Sequence, residues 1–351
     1  MNQTIARSTD NAVVLCADQR YFPFAYIVCQ QLAQHAQAGG YTVHLLTEPG
    51  PHLDRVPRDV PFVVETPDVV SRLPTDPELW RSVSVPPFAC VRLLAPDILT
   101  GYKRILYLDS DVRVAGSVAP LFALDMKGRT IAAARHMLTQ HVDKKKIEWE
   151  NRLKGIGLDA SEPFFNSGMV LIDADKWRHD GMTDAALDCL ARYGSRLYEI
   201  DQDCLNIIFR NAWLPVSPRW NWAPGLAGPE AEALVKPVVF HNFAKPWKFK
   251  EAPRREVALF RQMLARTPYA DFVPAIPPYR QVKRYLELQL KSGLLHVTPF
   301  LDSSSQRLKQ VERRRSAFIR RLVQDIEAGW YADIDQKITA IDLEKLKELA
   351  K

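Results

Sequence analysis

A buried strand that ends in two carboxylates constrains the fold of this chain more than any other feature of its sequence. Residues 104–108 read Arg-Ile-Leu-Tyr-Leu and are followed directly by Asp109, Ser110 and Asp111. Branched and aromatic side chains with little polar alternation are typical of a buried strand in a mainly parallel sheet. Residues two apart in a strand point to the same side, so both carboxylates could bind one cation. The segment therefore indicates either a metal–diphosphate site at the carboxyl end of a strand or an ordinary polar turn.

The size and composition of the chain are those of a globular protein. Its 351 residues can bury one large core, or one core with an appendage. A content of 47% hydrophobic and 25% charged residues excludes global disorder. The formal net charge of +6 fits an anionic partner but does not identify that partner.

Three features of the sequence predict a cytoplasmic protein. Residues 1–11 are polar and lack the layout of a signal peptide. No apolar segment approaches the roughly 20 residues that cross a bilayer. The five cysteines are scattered and contain no CxxC pair, which suits reduced thiols better than a disulfide or zinc framework.

The order of elements in the first half predicts an α/β fold. Strand-like runs at 12–17, 41–47 and 61–65 alternate with a helix that begins near Pro23 and ends near Gly39. This order is typical of a parallel sheet with crossover helices. Polar side chains recur where buried runs end. They are Asp18 and Tyr21, the pair Asn166-Ser167 in a turn predicted before a strand at 169–172, the segment Asp201-Gln202-Asp203, and His241.

Each of these groups has a functional and a structural interpretation. Asp201 at the head of a helix could simply cap it, and a lone histidine after a strand is more often structural. Together with Asp109 and Asp111, however, His241 would complete a ligand set suited to Mn²⁺ or Mg²⁺. Lys245 lies just beyond and would bring a positive charge to a phosphate.

These motifs, in this order, resemble those of the family 8 retaining glycosyltransferases, which include glycogenin and bacterial lipopolysaccharide galactosyl- and glucosyltransferases. The resemblance covers residues 13–248. It rests on five motifs, which are Leu15-Cys-Ala-Asp18 with Tyr21, Leu106-Tyr-Leu-Asp-Ser-Asp111, Phe165-Asn-Ser-Gly168, Asp201-Gln-Asp203, and His241 with Lys245-Pro-Trp247. It implies an α/β fold of the GT-A type, with a single Rossmann-like, nucleotide-sugar-binding catalytic domain at residues 1–250. A helical, basic extension would occupy residues 251–351.

The resemblance also implies a role for each matched residue. The metal, Mn²⁺ or Mg²⁺, would be held by Asp109, Asp111 and His241. The donor nucleotide and its diphosphate would be contacted by Asp18, Tyr21, Asp109, Ser110 and Lys245. The donor sugar would be lined by Arg92, Asn166, Asp201 and Gln202, with Gln202 nearest the anomeric carbon.

The implied activity is that of a metal-dependent retaining hexosyltransferase. It would use UDP-glucose or UDP-galactose, and its acceptor would be a glycan or a lipid-linked saccharide of the lipopolysaccharide or surface polysaccharide type. Two alternatives stay open. The short spacing from His241 to Lys245, which lacks the family's usual glycine, favours a catalytically weak nucleotide-sugar- or carbohydrate-binding protein of the same fold. A Mg²⁺-dependent phosphotransfer enzyme that uses Asp109 and Asp111 is the third.

The basic segment at residues 280–321 lies outside the matched region. Its Lys and Arg residues alternate with apolar side chains, which suits an anionic membrane surface at the inner face of the plasma membrane. The alternative is a helix whose apolar side packs on the catalytic domain. No nucleic-acid partner is expected, because no nucleic-acid-binding fold accompanies the charge.

Overall fold

A seven-stranded mixed sheet forms the centre of the computed structural model. The residues that it describes are 10–76, 79–80, 87–136, 143–225, 227–242, 245–246, 254–272, 302–333 and 340–350. The strands are β1 (Asn11–Ala17), β2 (Thr42–Thr47), β3 (Val63–Glu65), β4 (Arg104–Leu108), β5 (Val112–Val114), β6 (Ile131–Arg135), β7 (Phe165–Asp173), β8 (Leu214–Val216) and β9 (Val239–His241). The central sheet has the order β3-β2-β1-β4-β7-β6-β8, and β5 and β9 form a separate two-stranded sheet.

Helices connect these strands and cover the sheet. The α-helices are α1 (Phe22–Gly39), α2 (Ala95–Ile98), α3 (Ala119–Phe122), α4 (Asp143–Gly155), α5 (Ala174–His179), α6 (Met182–Tyr193), α7 (Ile200–Ile208), α8 (Gly228–Val235), α9 (Arg254–Leu264), α10 (Asp302–Glu327) and α11 (Ala340–Leu349). A run of 3₁₀ turns at Pro87–Leu94 carries Arg92 into the core. None of the helices in the described residues has the length and apolar character needed to cross a bilayer.

Strand β1 shows why the sheet must be covered on both sides. Its residues Val13 and Leu15 belong to one buried cluster together with the apolar face of α1. The alternating residues Ala12 and Val14 belong to a second cluster on the opposite face, built from the 3₁₀ segment and helices α5 to α7. A strand with apolar residues on both faces is typical of a parallel α/β sheet. The predicted α/β fold is confirmed.

Strand β7 runs against its neighbours, which the sequence did not predict. It pairs antiparallel with β4 and with β6, whereas the other pairs of the central sheet are parallel. The predicted Asn-Ser-Gly turn before a strand at 169–172 is wrong, because Asn166, Ser167 and Gly168 lie inside β7. The reversal brings the beginning of β7 to the carboxyl end of β4, and the backbone N–H of Asp109 donates to the carbonyl of Gly168 at 2.9 Å.

The small β5–β9 sheet joins two distant parts of the chain. Val112 pairs with His241 in this antiparallel ladder, and the N–H of Asn242 donates to the carbonyl of Asp111 at 3.0 Å. The residue after the carboxylate pair is therefore tied to the histidine that was predicted to share its metal.

Residues beyond 250 pack on the central sheet and its helices. Phe260 of α9 lies 5.3 Å from Phe24 of α1, measured between ring centroids. Helix α10 buries Phe318 against Trp222, with ring centroids 5.5 Å apart. The division of the chain at residue 250 stays a prediction. Within α10, the buried residues Phe318, Ile319 and Leu322 face inward, which is the packed-helix alternative for this part of the basic segment.

Candidate active site

The ends of three strands meet at one edge of the central sheet. Asp109 follows β4, Asn166 and Ser167 lie at the start of the reversed β7, and His241 ends β9. The amino end of α7 adds Asp201 and Gln202. All of these side chains except Asp109 are buried. The structure thus brings the predicted site residues of four separate motifs into one place.

Two carboxylates share the guanidinium of Arg92. Its Nη1 lies 2.8 Å from Oδ1 of Asp109 and 3.0 Å from Oδ2 of Asp201. The guanidinium also stacks 4.2 Å above the ring centroid of Tyr107, whose hydroxyl donates to Oδ1 of Asp109 at 2.7 Å. Arg92 therefore forms an ion pair with both acids, and the ring of Tyr107 stabilises the guanidinium by a cation–π contact.

These surroundings shift the pKa values of Asp109 and Asp201 in opposite directions. Burial by itself would raise the pKa of Asp109, but Arg92 and His241 overcome it and lower that pKa to about 2. Burial raises the pKa of Asp201 to about 6, although Arg92 opposes the increase. Burial also lowers the pKa of His241, which Asp109 partly offsets. At neutral pH the site therefore contains an ionised Asp109 and a neutral imidazole.

The residues present fit a divalent cation. One oxygen each from Asp109 and Asp111 and one ring nitrogen of His241 lie within 4.8 Å of one another. Nε2 of His241 is 3.3 Å from Oδ1 of Asp111 and 3.7 Å from Oδ2 of Asp109. Neighbouring ligands of an octahedral ion lie about 3 Å apart. Within the described residues, Oδ1 of Asp111 is buried and has no hydrogen-bond partner, which a bound cation would correct.

Lys245 reaches this group despite the short spacing after His241. Its ammonium forms an ion pair with Oδ2 of Asp111. The structure therefore places Lys245 beside the metal ligands. A divalent cation on Asp111 would compete with this ion pair and make the ammonium available to an anionic ligand.

Asn166, Ser167 and Gln202 form a buried hydrogen-bonded group behind the carboxylates. Oε1 of Gln202 accepts from Nδ2 of Asn166 at 2.8 Å and from the backbone N–H of Ser167 at 2.9 Å. The hydroxyl of Ser167 donates to Oδ2 of Asp201 at 3.0 Å. Nε2 of Gln202 donates to Glu199. The amide oxygen of Gln202 is thus already used by two donors.

An open cleft lies in front of the carboxylate pair. The carboxylate of Asp18 accepts a hydrogen bond from the backbone N–H of Tyr21 at 2.9 Å, which holds both residues at the rim. Seven predicted site residues line the cleft together with Cys16, Ala17 and Ala89, and they are Asp18, Tyr21, Arg92, Asp109, Ser110, Asp111 and Lys245. Four other predicted site residues do not line it, and they are Asn166, Asp201, Gln202 and His241. Asp201 is connected to the cleft through Arg92.

Three residues of the site were missed from the sequence. Tyr107 precedes Asp109 by two positions in an extended chain, so the alternation of side chains could have identified it. Asn221 is buried next to His241 and lies between two tryptophans, an unusual setting for an amide. Glu199, which accepts from Gln202, had no signal beyond its place before the helix.

Comparison with known sequences gives one family for the centre of the chain. The family model described as Glycosyl transferase family 8 matches residues 85–251. Glycosyltransferase GlyF of Streptococcus pneumoniae serotype 4 is 30% identical over 184 residues, which cover 49% of this chain and 42% of that protein. The lipopolysaccharide 1,3-galactosyltransferase of Salmonella typhimurium is 29% identical over 157 residues, covering 41% of this chain and 44% of that protein. The match thus spans less than half the length of these curated relatives.

Solved glycosyltransferase structures share the fold, which confirms the predicted GT-A type. A galactosyltransferase, LgtC, in complex with donor and acceptor sugar analogues has a TM-score of 0.56 at 20% identity, covering 78% of this chain and 99% of that one. The apo form of glycosyltransferase GlyE from Streptococcus pneumoniae TIGR4 has a TM-score of 0.52 at 21% identity, covering 81% and 64%.

Gly168 leaves space for the imidazole, and we expect Gly168→Ala to weaken metal binding. A Cβ at this position would collide with the ring of His241 and lie 2.7 Å from its Nδ1. Displacing a ligand in this way should reduce the affinity for Mn²⁺ by roughly tenfold or more, measured by calorimetry. Gly116→Ala is the matched control, because its Cβ would meet only Cγ1 of Val238 at 3.8 Å. Equal affinities in the two variants would contradict this account.

The raised pKa of Asp201 predicts a pH-dependent stability difference. Folding raises this pKa from 3.8 to about 6, so the folded state binds the proton more tightly and wild-type stability falls as the pH rises through 6. Asp201→Asn stays neutral and avoids that loss. We expect the variant to gain up to about 3 kcal/mol relative to the wild type between pH 4 and pH 8. Urea unfolding of both proteins at the two pH values measures this, and a difference independent of pH would refute it.

Proposed function

This chain carries a family 8 glycosyltransferase domain, and from that premise we propose that it is a retaining hexosyltransferase that uses a UDP-sugar and a divalent cation. The observation that carries the proposal is that His241 meets Asp109 and Asp111. These two carboxylates line the same cleft as Asp18 and Tyr21. A polar turn after a strand would not need these distant parts of the chain to converge. The residues that surround the two carboxylates therefore favour a metal site over an ordinary polar turn.

The cleft supports a division of roles for the donor. Asp18 and Tyr21 at its rim would contact the uracil and the ribose. Ser110 and Lys245 would contact the diphosphate, and the ammonium of Lys245 would exchange its ion pair with Asp111 for one with a phosphate oxygen. The position of Lys245 beside Asp111 supports this role despite the short spacing after His241, the feature that favoured a catalytically weak binding protein.

Asp109, Asp111 and His241 would hold Mn²⁺ or Mg²⁺. When bound, the ion would supply positive charge that stabilises the diphosphate as it leaves. The negative charge that develops on the leaving oxygen would also be met by Lys245. Arg92 keeps Oδ1 of Asp109 engaged, so Oδ2 is the oxygen that points toward the imidazole.

The sugar would lie in the cleft against Arg92, and Asn166, Asp201 and Gln202 would support the sugar site from their buried positions behind that side chain. As the bond to the diphosphate breaks, the sugar becomes positively charged. Two donors already use the amide oxygen of Gln202, so the carboxylate of Asp201 would carry the compensating negative charge, with Gln202 contributing through its fixed position. No pair of flanking carboxylates of the glycosidase type is proposed. The anomeric configuration would instead be retained because the acceptor hydroxyl attacks the sugar on the same face from which the diphosphate leaves.

The donor is proposed to be UDP-glucose or UDP-galactose, and the acceptor a glycan or lipid-linked saccharide. The similarity to a lipopolysaccharide 1,3-galactosyltransferase supports an acceptor of the lipopolysaccharide or surface polysaccharide type. Such acceptors are made at membranes, which fits a cytoplasmic enzyme that binds peripherally to the inner face of the plasma membrane.

A donor screen tests this function. In the presence of Mn²⁺ we expect release of UDP from at least one UDP-hexose, and excess EDTA should abolish it. Asp111→Asn should lower the rate by roughly 10²–10³-fold because it removes a charged metal ligand. Asp175→Asn is the control, since that carboxylate is 62% exposed and pairs only with Arg178 among the contacts described. Tight UDP binding without turnover across the panel would favour the binding-protein alternative, and phosphate release without glycoside would favour the phosphotransfer alternative.

The membrane proposal rests on the charge of residues 280–321. The buried apolar face of α10 cannot contribute, so the basic side chains would act mainly through electrostatic attraction. We expect co-sedimentation with vesicles that contain an anionic lipid, loss of that binding at high salt, and no binding to neutral vesicles. Binding to both kinds of vesicle, or to neither, would contradict the electrostatic account.

A further inference from the structure

A buried asparagine lies behind the imidazole of the candidate metal centre. Oδ1 of Asn221 is 2.9 Å from Nδ1 of His241, and both residues are buried. On the other side, Nδ2 of Asn221 donates to Oδ1 of Asn166 at 2.7 Å. Asn221 therefore connects the imidazole to the buried hydrogen-bonded group of β7.

The backbone of β7 determines which way this asparagine points. The N–H of Gly168 can only donate, and it lies 3.0 Å from Oδ1 of Asn166, so that atom must be an oxygen. An oxygen there requires the amide nitrogen of Asn221 to face it. The oxygen of Asn221 is then the atom that faces His241.

The orientation of the Asn221 amide in turn determines which ring nitrogen of His241 carries a proton. An amide oxygen only accepts, so Nδ1 must carry a proton. In the neutral imidazole, Nε2 then presents its lone pair. Nε2 is the nitrogen that faces Asp109 and Asp111. Three electron-pair donors directed at one another repel unless a cation lies among them. The amide group thus prepares His241 as a metal ligand before any metal arrives.

Residues beyond 302 contact both sequence neighbours of Asn221, which are Trp220 and Trp222. Nε1 of Trp220 donates to Oδ2 of Asp333 at 2.7 Å, and the backbone N–H and hydroxyl of Ser217 donate to the same carboxylate at 2.7 Å each. On the other side, the ring of Trp222 packs edge-on against Phe318 of α10. Asn221 therefore lies between two tryptophans that are each attached to residues beyond 302.

That segment is itself anchored to the central sheet. The guanidinium of Arg135, at the end of β6, stacks 3.9 Å above the ring centroid of Trp330 and lies 3.8 Å from Asp325. The hydroxyl of Tyr331 donates to Asp325 at 3.0 Å, and the N–H of Ala332 donates to the carbonyl of Pro215 at 2.9 Å. These contacts hold the segment that carries Asp333 next to Ser217 and Trp220.

We propose that Asn221 is a positioning residue that sets the tautomer and the ring orientation of His241, and that residues 325–333 complete the metal centre by holding Asn221 in place. The C-terminal segment would then be part of the active site without touching a substrate. This inference rests on the proposed function only in assuming that His241 binds a cation.

The tautomer can be measured without metal or substrate. In ¹⁵N-histidine-labelled protein, with the His241 signals identified by comparison with His241→Gln, we expect the wild type to show a protonated Nδ1 and an unprotonated Nε2. Asn221→Leu, which keeps the bulk but cannot accept, should show a mixture of tautomers. Asn221→Asp still accepts from Nδ1 and should restore the wild-type pattern.

Metal affinity provides the second measurement. By calorimetry with Mn²⁺ alone, Asn221→Leu and Asp333→Ala should bind roughly 10–100-fold more weakly than the wild type, and Asn221→Asp should recover most of the loss. Glu344→Ala is the matched control for Asp333→Ala, because its carboxylate lies in the same C-terminal region but is 68% exposed and contacts Lys347. Thermal melting confirms that each variant is folded.

The outcomes separate this inference from the proposed function. A wild-type tautomer in folded Asn221→Leu, or an unchanged Mn²⁺ affinity in folded Asp333→Ala, would overturn the inference even if the enzyme transfers sugar. Wild-type protein that shows the expected tautomer but releases no UDP would support the positioning role and contradict the proposed reaction.

Discussion

The contact on which the rest of the site depends is the buried guanidinium between Asp109 and Asp201. Two carboxylates cannot both be charged at such short range from each other and out of water unless a cation lies between them. Arg92 supplies that cation from a 3₁₀ segment, and the face of Tyr107 supports it. Because Arg92 and Tyr107 both use one oxygen of Asp109, the other oxygen remains oriented toward His241. The charge of Arg92 thus allows the two acids to be buried in the site while one oxygen of Asp109 stays directed toward His241.

The reversal of β7 explains how the remaining groups arrive. In an all-parallel sheet, polar residues at the start of a strand would lie at the edge opposite to the carboxyl end of β4. Since β7 runs antiparallel, its first residues lie beside Asp109, and their backbone amides orient Asn166 and Gln202. The β5–β9 ladder adds the histidine from the far end of the domain. The site is therefore built at a change of strand direction and not at an ordinary parallel edge.

The sequence predicts the candidate metal ligands and the buried strands better than it predicts the contacts that connect them. Asp109, Asp111 and His241 could be identified because metal chemistry restricts residue types and because the motifs follow one another in a known order. The burial of β1 and β4 could be read from their apolar runs. The direction of β7 could not, because strand pairing depends on partners that local pattern does not specify. Asn221 was missed for a similar reason, since the orientation of an amide follows from a network and leaves no periodic signal.

The attachment of Asp333 to Ser217 also bears on the order in which the molecule forms. This hydrogen bond joins residues 116 positions apart, and contacts between distant residues form late because a long loop must close first. Strand β9, which carries His241 of the candidate metal centre, leaves the ribosome well before residues 325–333. A nascent chain could thus assemble its sheet and its carboxylates while the imidazole of His241 was still free to turn, so metal binding at full affinity would require synthesis beyond residue 333.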